Sequence, residues 1–223
     1  MALLDQPLGH LARNIPGATG IFHEYQLDFC CGGQHSLREA AQARGIDAGP
    51  IAERLEALNA AVTPDQVVDW TTVSPSMLID HIVERFHDRH REQLPELIRL
   101  ARRVEHVHGD REDCPVGLAD LLDGMQQELE SHMQKEEQIL FPMLSRGHGS
   151  RAGGPIAVMR MEHDQHGDAL QQLMTLTNDI TLPRGACTTW RALYLGLRAF
   201  REDLMEHIHL ENNVLFEGAA GAG

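Results

Sequence analysis

The ten residues from His132 to Phe141 recur from His207 to Phe216, in the shared pattern H-x3-E-x2-[IV]-L-F. A second pair lies at nearly the same offset. His87-Asp88-x-His90-x3-Leu94 matches His163-Asp164-x-His166-x3-Leu170, as H-D-x-H-x3-L, with a spacing only one position longer. Two independent matches at nearly one offset imply that this part of the chain is two equivalent hairpins. A pseudo-two-fold axis between them brings the repeated residues together at the centre.

Both motifs sit in long helical patterns, at about 75–107, 116–145, 155–178 and 187–213. In the first, Ile79, Val83, Phe86, His87, His90, Leu94, Leu97, Ala101 and Val104 recur at three-and-four spacing, and the others follow the same rule. The connections are short and rich in Gly and Pro, so neighbouring helices run antiparallel. The expected fold is all-α: an antiparallel up-down-up-down four-helix bundle behind a small helical N-terminal domain. Pro95 falls inside the first long pattern and is expected to kink it or disturb the turn before it.

Ahead of the bundle, residues 1–58 read as short helices. Pro7 and Pro16 suit first turns, Ser36 and Asp47 suit N-caps, and Gly45 suits a helix end. Asp28-Phe29-Cys30-Cys31-Gly32-Gly33 is a turn by its glycines. Residues 59–74 read as a linker, with Ser74 as N-cap and Pro75 at the first helical position. The bundle is assigned 75–216 and a tail 217–223.

Helix geometry then defines the chemistry. His and Glu at i and i+4 share one face, and in these helices that face is apolar. A carboxylate there is costly unless compensated. Two facing each other repel, and one protonates. A cation between them removes both problems. The expectation is a dinuclear metal centre bridged by Glu136 and Glu211, with imidazoles from His132, His207 and one His of each H-D-x-H segment. From spacing alone, His87 and His163 are modestly favoured over His90 and His166. Imidazole suits iron, zinc, copper and nickel, while bridging carboxylates favour iron or manganese. Two iron ions with an oxo or hydroxo bridge are therefore expected, with dioxygen or nitric oxide as a small ligand. Glu128 and Asp203 each precede a motif His by four, and Glu162 adjoins His163. Such acids orient imidazoles or carry protons, or simply lie on an exposed face.

Composition narrows the remaining classes. There are 14 histidines against 10 Phe, Trp and Tyr residues, an abundance that suits metal or proton chemistry. The formal net charge of −14 argues against nucleic acid as a partner. No apolar run is long enough to span a membrane, and the first residues lack a secretory signal pattern. Of the four cysteines, Cys30 and Cys31 are adjacent, and no CxxC pair exists, so neither a disulfide framework nor a zinc ribbon is expected.

Together these residues resemble the iron–sulfur cluster repair di-iron proteins, the repair of iron centres family, over essentially the whole chain. The N-terminal mark is Asp28-Phe29-Cys30-Cys31-Gly32-Gly33. The C-terminal part resembles a hemerythrin-like bundle, with His87, His132, Glu136, His163, His207 and Glu211 at the family's ligand positions. The resemblance thereby selects His87 and His163 over His90 and His166. Arg91-Glu92-Gln93-Leu94-Pro95 and Ala186-Cys187-Thr188-Thr189-Trp190 also fit, whereas Glu217 stands where the family has proline after the Phe. The resemblance implies a cytoplasmic stress-response protein that restores iron–sulfur clusters damaged by nitrosative or oxidative stress, with damaged iron–sulfur proteins as partners. Two modes stay open: iron donation, and nitric oxide binding or reduction by a nitric oxide reductase-type activity. Cys30 and Cys31 suit either, as soft thiolates able to take an iron or a nitrosyl. A homodimer also stays open. The rival classes are a hemerythrin-like scavenger or sensor of dioxygen or nitric oxide without repair activity, and an oxidase or peroxidase.

Overall fold

In the computed structural model, residues 3–30, 32–61 and 68–220 are described; Cys31 lies outside them. They are helical, apart from turns and one isolated bridge between Pro7 and Ser36. No helix among them is long and apolar enough to cross a membrane.

Four helices precede the linker: α1 (Leu8–Asn14), α2 (Ala18–Glu24), α3 (Leu37–Ala43) and α4 (Ala48–Ala61). Pro7 stands immediately before α1, where a missing N–H costs nothing. Ser36 caps α3 in a reciprocal capping box with Glu39. Asp47 accepts from the Gly49 N–H at the start of α4. Gly45 takes φ +70° just past α3, as a residue without Cβ can. These helices share a core of their own around Leu8, Leu11, Phe22, Phe29, Leu37, Ile51 and Leu55.

Four long helices follow. α5 (75–108) begins at Pro75 with Ser74 as its N-cap and ends at His108. α6 (118–145), α7 (Gly153–Leu176) and α8 (188–220) complete the bundle. α5 packs against α6 and α8, and α6 against α7. One bundle core, around Trp190, Leu193, Leu197 and Phe200, fills the half near the end of α5. Another, around Ile82, Phe86, Phe141, Leu210 and Phe216, fills the half near its start. The two tryptophans mark these halves. Trp70 stacks on His81 at 4.1 Å, and the buried Trp190 packs on His108 at 5.1 Å.

Periodicity does not foretell the helices' departures from α-geometry. A π-helical turn interrupts α5 at Val83–His87, α6 at Glu136–Leu140 and α8 at Glu211–Leu215. α5 is continuous through Pro95; its interruption lies at the π turn instead. α8 also runs on past its last π turn to Ala220, where the sequence suggests a tail from 217. Each π turn holds or adjoins a motif histidine or glutamate, and such turns frequently occur at functional sites.

Candidate metal centre

The repeat places four imidazoles and two carboxylates in the middle of the bundle. His87 comes from α5, His132 and Glu136 from α6, His163 from α7, and His207 and Glu211 from α8. All six are between 0 and 1 % exposed. They form two overlapping groups, His87–Glu136–His207–Glu211 and His132–Glu136–His163–Glu211. The pseudo-two-fold axis exchanges these groups, and both carboxylates belong to each.

The contacts within each group are informative. His87 Nε2 lies 3.1 Å from His207 Nε2, and His163 Nε2 lies 3.1 Å from His132 Nε2. Glu211 turns Oε1 toward His207 at 3.2 Å and Oε2 toward His163 at 3.0 Å, so it reaches both groups. Glu136 does likewise through Oε2, at 3.5 Å from His87 and 3.4 Å from His132.

Hydrogen bonding on the far side of the rings fixes the tautomers. His132 Nδ1 bonds Glu162 at 2.9 Å, and His163 Nδ1 bonds Asn212 Oδ1 at 2.9 Å. A carboxylate and an amide oxygen only accept, so both Nδ1 atoms donate. Both Nε2 atoms then carry lone pairs and face each other at 3.1 Å, which is repulsive unless a cation lies between them. Two nitrogens bound at right angles, each about 2.1 Å from one ion, stand about 3 Å apart. Both oxygens of Glu136 and Oε2 of Glu211 are buried and accept no hydrogen bond from the described residues, another deficit that a cation fills. The residues therefore fit a pair of metal ions.

Electrostatics agree. Burial, and then repulsion from Glu211, push the Glu136 carboxyl well above its usual range. Burial also pushes Glu211 upward, but the imidazoles of His207 and His163 outweigh it and hold that carboxyl well below its usual range. Without a cation one carboxylate takes a proton while the other stays charged. Burial lowers His87 to about 4 and His132 well below its normal value, so both rings are neutral at pH 7.

Aromatic rings wall the site. Phe141 stacks on His87 at 5.7 Å and Phe216 on His163 at 6.0 Å. Phe86 stacks on His207 at 5.6 Å. His90 and His166 are buried beside the centre, against His207 and His132, but belong to neither group of potential ligands.

The three candidate acids separate. Glu162 reaches the site, though its imidazole is that of His132 rather than its neighbour His163; Lys135 holds its other oxygen at 2.5 Å. Asp203 is buried but pairs with Arg85 and Gln93, not with an imidazole. Glu128 is exposed on α6. Two residues escaped the sequence reading. Glu137 binds His87 Nδ1 at 2.8 Å and is itself held by Arg91 at 2.9 Å. Asn212 binds His163. Each directly follows a motif glutamate, at matched positions of the repeat, but their side chains differ, so the repeat did not flag them.

Cys30 is buried where the N-terminal helices meet α8. Its thiol donates to Asp28 Oδ1 at 3.3 Å, and its carbonyl accepts from Asn212 Nδ2 at 3.3 Å. Next to it, Phe29 packs edge-on against His209 at 5.5 Å.

Comparison with known proteins agrees with this architecture. Residues 78–219 match the Hemerythrin HHE cation binding domain. Residues 4–59 match ScdA_N, described as a domain of unknown function. The chain is 54% identical, over 96% of both chains, to the iron-sulfur cluster repair protein YtfE of Dickeya chrysanthemi. It is 53% identical, again over 96% of both, to the protein of the same name from Yersinia pseudotuberculosis. It is 51% identical, over 97% of both, to a probable iron-sulfur cluster repair protein of Haemophilus influenzae. With the match running over nearly the full chain, through the N-terminal helices, the bundle and the His/Glu centre, this protein belongs to the iron–sulfur cluster repair family.

Proposed function

We propose that the chain holds two iron ions and uses them to repair iron–sulfur clusters damaged by nitrosative or oxidative stress, with damaged iron–sulfur proteins as its partners. The observation that carries this reading is the pair of overlapping His/Glu groups sharing Glu136 and Glu211. His87, His132, His163 and His207 supply the nitrogens, and the two glutamates supply shared oxygens. When bound, the irons supply redox chemistry and affinity for small ligands such as nitric oxide or dioxygen. Glu137, Glu162 and Asn212 accept from Nδ1 of three of the ligating rings, fixing their tautomers and aim. The aromatic rings limit water around the centre. Division into a helical domain over 1–58, a linker over 59–74 and a bundle over 75–216, and a cytoplasmic setting, belong to the same reading.

Iron donation and nitric oxide reduction are both compatible with this centre. Reducing two nitric oxide molecules to nitrous oxide and water takes two electrons and two protons, so the assay must supply a reductant. Purified protein is expected to bind two irons per chain, and Glu136→Ala to lose at least one. Iron-loaded protein given nitric oxide and reductant is assayed for nitrous oxide and for reactivation of a nitric-oxide-damaged cluster enzyme. Reactivation supports repair. Stoichiometric binding of nitric oxide with neither product overturns repair in favour of a scavenger or sensor.

A further inference from the structure

The duplicated scaffold carries different side chains at one matched pair of positions, and the difference reaches the N-terminal domain. Glu137 and Asn212 stand one residue after the two shared glutamates. Each accepts from the Nδ1–H of its histidine, His87 at 2.8 Å and His163 at 2.9 Å. The second partner of Glu137 is the Arg91 guanidinium. The second partner of Asn212 is the backbone carbonyl of Cys30, to which Nδ2 donates at 3.3 Å. A carboxylate at 212 has no hydrogen for that carbonyl; an amide can accept on one side and donate on the other. The orientation of the amide follows from the metal-facing side. His163 Nε2 points at His132 and Glu211, so Nδ1 carries the proton, Oδ1 receives it, and Nδ2 turns to Cys30.

The neighbouring residue adds a second tie. Asn213 Nδ2 lies 3.0 Å from His209 Nδ1 and approaches the carbonyl of Phe29 at 3.5 Å. Both asparagines belong to the π turn at Glu211–Leu215. Cys30 and Asn212 also line one open cleft of about 480 Å³, with Arg160, Asp164 and Glu217. Among the described residues the second metal position has no such link. There His87 is anchored to the charged pair of Glu137 and Arg91, and Nδ1 of His207 has no hydrogen-bond partner among the described residues.

We propose that Asn212 is a positioning residue that couples the Cys30 loop to the metal position formed by His132 and His163, and to that position only. The proposal rests on the metal-centre reading above. By linkage, metal at this position restrains the loop, and displacing the loop loosens His163's hold on the metal by the same factor. Of the two irons, the one at this position then changes its retention when a partner engages Cys30 through the cleft.

Two variants separate the two hydrogen bonds. Asn212→Asp keeps an acceptor for His163 and removes the donor to Cys30. Asn212→Ala removes both. The full-length chain is loaded with ferrous iron, and two quantities are followed: iron release to a coloured chelator, and amide hydrogen exchange over residues 29–33 with and without iron. In the wild type, iron is expected to slow exchange in the loop. Both variants are expected to lose that response. Asn212→Ala is expected to speed release of one iron of the two by roughly 10- to 100-fold, and Asn212→Asp to speed release of that same iron by less, since the ring keeps its acceptor and loses only the restraint of the loop. Loop exchange that still responds to iron in both variants overturns the proposal, as do two irons that accelerate together or not at all. A wild type that binds fewer than two irons overturns the metal-centre reading itself, and this proposal with it.

Discussion

Each imidazole of the centre is set by what stands behind it, and the four are not alike. His87 and His132 lean on carboxylates, His163 on an amide, and His207 on a stacked phenylalanine ring. Hydrogen bonds to carboxylates make a ring a stronger donor and fix its aim. Glu162→Ala leaves His132 Nδ1 without its acceptor. It is expected to weaken iron binding roughly 10- to 100-fold, read by competition with a chelator. Glu128→Ala, on the exposed face, is expected to change nothing in the same assay. The three-and-four spacing and the repeat made the convergence of His87, His132, Glu136, His163, His207 and Glu211 legible. They could not rank the acids. Glu128 and Asp203 have matched offsets, yet Glu128 faces solvent and Asp203 is taken up by Arg85 and Gln93. The acid that reaches His132 comes from across the bundle, and crossings between helices leave no mark in one-dimensional spacing.

At the scale of elements, helix starts were the most readable features, because a cap is a local hydrogen bond: Ser36, Asp47 and Ser74 all behave as their side chains suggest. The π turns were not readable. A π turn inserts one residue into an otherwise regular pattern, and the apolar periodicity on either side hides it. The loop carrying Cys30 depends on close backbone approach. A Cβ on Gly33 would stand 2.7 Å from the Phe29 carbonyl oxygen and 3.3 Å from Gly9 Cα. These are backbone atoms, which cannot swing aside as a side-chain tip would. Gly33→Ala is therefore expected to cost about 1–3 kcal/mol and to speed hydrogen exchange over residues 29–33, with iron stoichiometry unchanged.

Over the whole molecule, two cores meet across a seam that buries ionisable groups. His23, on α2, lies edge-on to Phe29 at 5.1 Å. Burial, and then the Arg201 guanidinium from α8, lower it from 6.5 to about 4. In the unfolded chain His23 binds a proton below about pH 6.5, whereas in the folded chain it resists until about pH 4. The folded state thus loses stability as pH falls through that window, by at most about 1.4 kcal/mol per pH unit from this residue. Denaturant titrations of the iron-free protein between pH 7 and 4.5 are expected to show this slope. It is expected to be shallower in His23→Gln, which has nothing to protonate. A slope identical in both proteins shows that His23 does not contribute to acid sensitivity.

The positions of Trp70 and Trp190 also have an optical consequence. They sit against His81 and His108 of the same helix, which stand roughly 40 Å apart along its axis. The chain has no other tryptophan. His87 lies about 9 Å along the helix from His81 and about 30 Å from His108. The intrinsic fluorescence of the protein therefore divides between one emitter close enough to the centre to be quenched by a bound transition metal and another about three times farther away. A single spectrum contains both a signal of occupancy and its internal reference.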